Sequence, residues 1–595
     1  MGAKDRDEPK DFMERGNILK WLFIGLAILL FFQFGMPLIS GKGGDEVQPY
    51  VVDTQAPSDR TAEEVCVIET ERFKAELSSR GGSLRHLWLT QPKYQVSKNG
   101  TKGPVDLVTT TLESRMPLRT DLRVVGDAAQ QIPFNDLDWK LSAQDGRSCT
   151  FTHTSPEAEL TKAVAATGGP YELSTTLTVK NVAAEPRKHR LAFEQTAYRK
   201  QKETTGSFLE PMAEWATEVV SATVEKTERF GTADFEPKDF EDKEFTAEKW
   251  RRTPGDTRFV AVSSSYFSQI AIPLEGPSAA NAETLILETW NSGQFNAKTK
   301  TNDPAYGHIY RARLAYPELE LQPQGTATYK VLTYNGPKER DLLAAVGHGA
   351  SDVINLGWFS PIAKILVSYL YVLQRVVGSW GWAIVLLTIT VRLLLFPLSI
   401  QQIKSSAAMR RLKPEMDEIN ERYKDDATQR MVAVQELWRK NKVANPMVGC
   451  FPVLLQMPVW FALYTALQTA VELYHTPFGP LRDLASRDPY FIIPIVLGAS
   501  SFIQQKLMPP QGDPAQQKMM LYMMPAIFTA MMLFLPAGLG VYMLTNTWLG
   551  IGQQVLVERY LKAKHDGGIQ VREKTQGGDE KSAPALGKGK ARVRG

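Results

Sequence analysis

The chain is poor in cysteine, with three in 595 residues, no CxxC and no cysteine–histidine cluster. That rules out a disulfide-dense scaffold and argues against a structural zinc site. Histidine is scarce too, seven in all, and His153, His189 and His308 are scattered rather than grouped. Scattered imidazoles read as surface or core residues, not as a catalytic set. Across 45–345 there is no nucleophile elbow, P-loop, paired-glycine fingerprint or HExxH, so that region reads as a binding or spacing module. The net charge of +4 says little until its distribution is known.

What is present divides in two. Residues 45–345 carry short apolar runs separated by turn signals such as "SRGG", "ATGGP" and "NSGQ", the pattern of an all-β antiparallel sandwich. Residues 355–560 hold repeated long apolar stretches, the pattern of an α-helical polytopic membrane protein. Cys66 and Cys149 fall in the first region; outside the cytoplasm they can pair, and otherwise they are buried thiols. Cys450 falls in a membrane segment and reads as packing.

Six spans are expected: 18–39, 381–400, 449–473, 490–505, 519–535 and 539–556. The first exceeds the apolar core of a cleaved signal and lacks an A-x-A site, so it reads as a retained anchor. Basic residues Lys4, Arg6, Lys10, Arg15 and Lys20 precede it, and the 401–444 loop holds ten more Lys or Arg. By the positive-inside rule both termini are cytoplasmic and the 45–345 region is periplasmic, in a bacterial inner membrane. Three of the later spans are short enough to require a locally thinned bilayer. The 561–595 tail, with nine Lys or Arg against four acids among Gly, Ala and Pro, reads as disordered and basic.

Two helical patterns sit between these spans. Within 355–379, Lys364, Ser368, Tyr371 and Arg375 form one polar stripe on an apolar helix, as an interfacial helix requires; a helix packed on the soluble region is the alternative. In the 401–444 loop, Met409, Leu412, Met416, Ile419 and Tyr423 step by three and four. Met431, Val434 and Trp438 repeat the step after "KDDAT", which predicts a cytoplasmic helical hairpin with a kink or restart at Pro414.

Arg392 lies midway along the 381–400 span. A guanidinium there costs roughly 2.5 to 3.5 kcal/mol even on a translocon scale, so a function is expected of it. Across the five later spans it is the one intramembrane ionisable residue; Glu472, Lys506, Lys518 and Glu558 are expected at ends, within reach of water. No carboxylate or histidine relay accompanies it, which weighs against a proton-coupled transporter. Thr388 is one turn away, and Gln456, Thr465, Gln468, Ser500, Ser501, Gln504, Thr545 and Asn546 recur on other spans. Together they predict a hydrated positive cavity open to cytoplasm and lipid. Such a cavity draws in an acidic or polar tail while the following apolar segment passes to lipid. A transporter or channel, or an outer-leaflet carbohydrate-binding protein, are the competing readings.

The stretch "NPMVGCFPVLLQMPVWFALYTAL" resembles the signature of the YidC/Oxa/Alb membrane protein insertases, and "TVRLLLFPLSIQQ", "DPYFIIPIVLG", "DPAQQKMM" and "FLPAGLGVYMLTN" resemble further blocks of that family, in order. The resemblance covers about 358–560. An anchor followed by a large soluble region resembles the Gram-negative form, which implies a β-supersandwich related to mutarotase-like domains. It also implies a monomer that serves nascent membrane proteins, with the Sec translocon, SecDF and the ribosome as partners, the ribosome met by cytoplasmic loops and the basic tail. Arg392 matches the family's groove arginine and Thr388 its substrate-contacting threonine. A "YY" of related sequences reads "YM" here, Tyr542 and Met543, leaving that contact divided between them. Neither a cofactor, a metal nor covalent catalysis is implied.

Overall fold

The computed structural model describes residues 45–46, 60–98, 101–110, 113–125, 131–133, 138–200, 215–235, 250–289, 307–424, 426–441, 451–507 and 514–576. The expected anchor at 18–39 lies outside them. The chain divides into two units, one containing residues 1–360, 464–487 and 534–537, the other 361–463, 488–533 and 538–595.

The first unit is built on β-structure. Its strands alternate strictly: in Glu172–Asn181 every second residue is buried, as a half-covered sheet dictates. Among the described residues, nine strands form one antiparallel sheet, in which Glu172–Asn181 lies between Ala158–Ala166 and Thr326–Pro337. Seven form a second sheet, centred on the long pair Arg187–Lys200 and Gly307–Leu321. The two sheets contact each other face to face, giving a sandwich. A three-stranded sheet over 65–89 is tied to the nine-stranded sheet by a disulfide between Cys66 and Cys149, with Cα atoms 6.1 Å apart. Both cysteines are fully buried.

Two buried carboxylates of this sandwich are paired with arginines. Arg311 donates to Glu194 at 2.7 Å and Arg313 to Glu283 at 2.7 Å. The Trp250 ring covers both guanidiniums, 3.7 Å from that of Arg313. Burial pushes the Glu194 carboxyl up, but Arg311 and Arg313 overcome it and hold it at about 2. Lys162, fully buried, donates to the main-chain oxygen of Leu118 at 2.6 Å.

The 471–484 segment belongs to the same unit. Tyr474 packs on Tyr266 and Phe267, Lys93 donates to the Glu472 main-chain oxygen at 3.2 Å, and His475 Nδ1 lies 3.0 Å from the Lys93 oxygen. Glu472, expected at a span end in reach of water, is instead buried, and its carboxylate accepts from the Arg340 amide at 3.2 Å. It caps the start of the Arg340–Val346 helix, where orphan N–H groups favour an anion.

The second unit is helical. Its described helices are Ser360–Val377, Trp380–Leu394, Phe396–Arg411, Lys413–Arg422, Ala427–Lys440, Phe451–Thr469 (whose last turns fall in the first unit), Ile492–Leu507, Pro514–Met532 and Ala537–Gln576. Among the described residues, no helix is long and apolar enough to cross a membrane. The expected continuous span 381–400 is divided: the first helix stops at Leu394 and a new one opens at Phe396 with Pro397 in its first turn. Proline has no N–H for the preceding turn, so it starts a helix better than it continues one. The last helix runs to Gln576, into the stretch expected to be disordered. Lysine, alanine and glutamate there are good helix formers, and their propensity outweighs the glycine pair at 567–568.

Candidate functional site

The Trp380–Leu394 helix places Thr388 and Arg392 four residues apart, hence on one face. Thr388 is buried and its hydroxyl donates back to the Ile384 oxygen at 2.7 Å, so among the described residues it is satisfied within its own helix. Arg392 is half-buried and reaches to the Ala537–Gln576 helix. Its Nε donates to Asn546 Oδ1 at 2.6 Å, its Nη2 to the Asn546 main-chain oxygen at 2.8 Å, and its Nη1 to Gln553 Oε1 at 3.2 Å. Those acceptors are all uncharged. The guanidinium is therefore held in place while its full positive charge stays uncompensated by any carboxylate among these partners.

Asn546, Gly550 and Gln553 follow each other at four and three, one stripe on the last helix. Gly550 is what lets the stripe be approached. A Cβ there would stand 2.9 Å from Arg392 Nη2 and 3.0 Å from Gln504 Nε2, so the missing side chain brings Gln504 of the Ile492–Leu507 helix to the same place. One turn before Gln504, buried Ser500 accepts from Trp548 Nε1 at 2.9 Å and donates to the Val496 oxygen at 2.7 Å. Arg392 is thus held by amide and main-chain oxygens of the last helix, with Gln504 of a third helix brought beside it at Gly550.

Of the residues singled out in the sequence, Arg392, Gln504 and Asn546 meet here, and Ser500 stands one turn away. Tyr542 is buried and Met543 half-buried, one turn before Asn546 on the same helix. The side chain of Gln456 lies outside the described residues. Sequence reasoning missed Gln553, Gly550 and Trp548; the i, i+4, i+7 spacing from Asn546 was the available signal for the first two.

Two family descriptions match the chain. Residues 66–369 match the YidC periplasmic domain, and residues 372–564 the 60Kd inner membrane protein. The chain belongs to the YidC membrane protein insertase family. A membrane protein insertase YidC of Anaeromyxobacter dehalogenans (strain 2CP-C) is 35% identical over 511 residues, 84% of this chain and 86% of that protein. One from Geobacter sp. (strain M21) is 31% identical over 496 residues, 83% and 85% of the two chains. A solved active YidC insertase with its first transmembrane domain resolved covers 91% of this chain and 98% of its own, at 17% identity and a TM-score of 0.34. The YidC family is one of insertases rather than enzymes.

In this YidC-family chain the predicted hairpin is two packed helices, Lys413–Arg422 and Ala427–Lys440. Pro414 sits in the first turn of the former, a restart after Arg411. Leu412 is buried and Met416, Ile419 and Tyr423 are half-buried; the side chain of Met409 lies outside the described residues. Met431 departs from the expected seam, being 62% exposed. The covered face of its helix is instead Arg430, Ala433, Val434, Leu437 and Trp438, a shift of one residue that the 3.6 period permits. Asp426 caps this helix by accepting from the Thr428 and Gln429 amides.

Proposed function

We propose that this chain inserts and helps fold membrane proteins in the bacterial inner membrane, through a hydrated positive groove centred on Arg392. The supporting observation is the guanidinium's set of uncharged acceptors: a fixed cation, half-buried, whose charge is left for a substrate. An acidic or polar tail is attracted there by Coulomb energy, which grows as the local dielectric falls. Transfer of the adjoining apolar segment to lipid, at about 25 cal/mol per Å² of apolar surface, supplies the driving force. Thr388, Gln456, Ser500, Gln504, Tyr542, Met543 and Asn546 line the path. The hairpin at 401–444 contacts the incoming chain or its carriers.

In this reading the chain spans the membrane six times, with the anchor at 18–39 and helical segments near 381–400, 449–473, 490–505, 519–535 and 539–556. Helices of 15 to 19 residues require a thinned bilayer, which itself lowers the barrier to polar chain. The 45–345 sandwich, a β-supersandwich, is periplasmic and both termini are cytoplasmic. The Ser360–Val377 helix lies in the interface: Ile365, Tyr369, Val372 and Val376 form an exposed apolar stripe beside Lys364 and Arg375. A monomer acts alone or with the Sec translocon and SecDF, and the ribosome docks through the cytoplasmic loops and the basic tail.

Reconstitution tests this reading. Liposomes containing the purified chain are expected to integrate a single-span substrate with a short acidic tail severalfold above empty liposomes, without conducting small ions. Ion conductance with no gain in integration would replace the insertase reading by a channel.

A further inference from the structure

The first unit carries a cleft that plays no part in the proposed insertion path. It has a volume of about 500 Å³ and lies between the strand pair Phe73–Ser78/Ser83–Leu89 and the hairpin Gln95–Lys98/Thr101–Pro104. That volume falls in the range of small-molecule sites. On the strand side, Lys74 stands directly across from Trp88, its Nζ 5.5 Å from the indole centroid. His86 stacks on the indole at 4.6 Å and is itself tied to Asp106 at 2.7 Å. The indole is thereby fixed, with Lys74 and His86 packed against it. On the hairpin side stands Lys102, exposed, and Gln91 and Gln95 line the cleft between.

We propose that this cleft binds a phosphorylated polyol. Two lysines, Lys74 and Lys102, line it, and no carboxylate-bearing residue is among those that do. Glu76 holds Lys74 at 3.5 Å in a half-exposed pair, which is weak enough for a phosphate oxygen to displace. Lysines bind phosphate as point charges. The two amide side chains and Thr90 offer donors and acceptors suited to hydroxyl groups, and the indole supplies an apolar wall for the C–H face of the polyol. The same chemistry is found in a soluble glycerol phosphate and in the headgroup of phosphatidylglycerol.

Gly103 lines the cleft, and a Cβ built on it meets nothing within 4 Å. A large side chain fits there without displacing the fold, so Gly103→Trp is a plug. The full-length protein in a neutral detergent is titrated by calorimetry with glycerol 3-phosphate, glycerol, inorganic phosphate and dihexanoyl phosphatidylglycerol below its micellar concentration. Saturable glycerol 3-phosphate binding at one site is expected, at least tenfold tighter than inorganic phosphate, with glycerol silent. Gly103→Trp and the Lys74→Gln/Lys102→Gln pair are each expected to weaken it at least tenfold, with unchanged thermal unfolding. Tighter binding of the short-chain lipid assigns the ligand to a membrane headgroup; weaker binding assigns it to a soluble phosphate ester. No saturable binding, or binding that Gly103→Trp leaves intact, overturns the proposal.

Discussion

Two cations with uncharged acceptors, half-buried Arg392 and fully buried Lys162, sit in different environments. Arg392 has three acceptors, the asparagine and glutamine side-chain oxygens and a main-chain oxygen. Lys162 has one main-chain acceptor and is fully buried, so burial, aided by nearby Arg119, pulls its pKa down to about 7. An unfolded lysine holds its proton until about pH 10.4. Between about pH 7 and 10.4 the unfolded state binds more protons, so Lys162 makes the fold more stable as pH rises through that window; below 7 its destabilising effect is complete. Lys162→Met is accordingly expected to unfold at a higher temperature than the parent at pH 6, with the difference shrinking steadily toward pH 10. Thermal unfolding of the full-length protein, followed by its sheet circular dichroism, reads this. A difference that stays constant with pH would contradict the assignment. Neither environment was legible in the sequence: Arg392 announces itself as a charge in an apolar run, but its acceptor Asn546 is 154 residues away.

Elements were more legible than their contacts. The strand alternation in Glu172–Asn181 and the three-four stepping of Leu412, Met416, Ile419 and Tyr423 are periodicities that burial imposes and that the folded chain displays. Helix ends were less so, since the break after Leu394 depends on how Pro397 is used, as a kink or as a start. Least legible was Gly550, because a glycine in an apolar helix looks the same whether it faces lipid or a neighbour. The structure makes it the contact between the last helix and the Arg392–Gln504 pair. Gly550→Leu is expected to force that pair apart and reduce insertion severalfold in the reconstituted assay. Gly552→Leu, where a Cβ meets nothing within 4 Å, is expected to have no such effect. Equal activity of the two variants would remove the Arg392 constellation from the mechanism. The Cys66–Cys149 bridge acts at the same scale, stapling the three-stranded sheet to the nine-stranded one across 83 residues. Its removal by Cys66→Ser/Cys149→Ser is expected to lower stability by about 2 to 4 kcal/mol, measured by denaturant unfolding, with a steeper slope because the unfolded chain is no longer cross-linked.

At the scale of the whole molecule, the chain joins a sandwich in which buried Glu194 and Glu283 meet arginines to a helical unit in which Arg392 meets uncharged acceptors. In Glu194–Arg311 and Glu283–Arg313 both partners are present, and breaking such a pair leaves an uncompensated buried ion. In the helical unit the carboxylate is missing from Arg392's partners, and the proposed function assigns that place to the substrate. The division into a β-rich and a helical region was plain from composition, because runs of four to eight residues and runs of twenty report different solvents. The meeting of Arg392 and Gln504 at Gly550 was not, since it depends on packing between segments that pattern alone cannot orient. The most direct test exchanges charges on both sides. Wild-type and Arg392→Glu chains are reconstituted and offered two substrates that differ only in an acidic or a basic tail. The account predicts that reversal weakens insertion of the acidic-tailed substrate and improves that of the basic-tailed one relative to wild type. Identical tail dependence in both chains would contradict it.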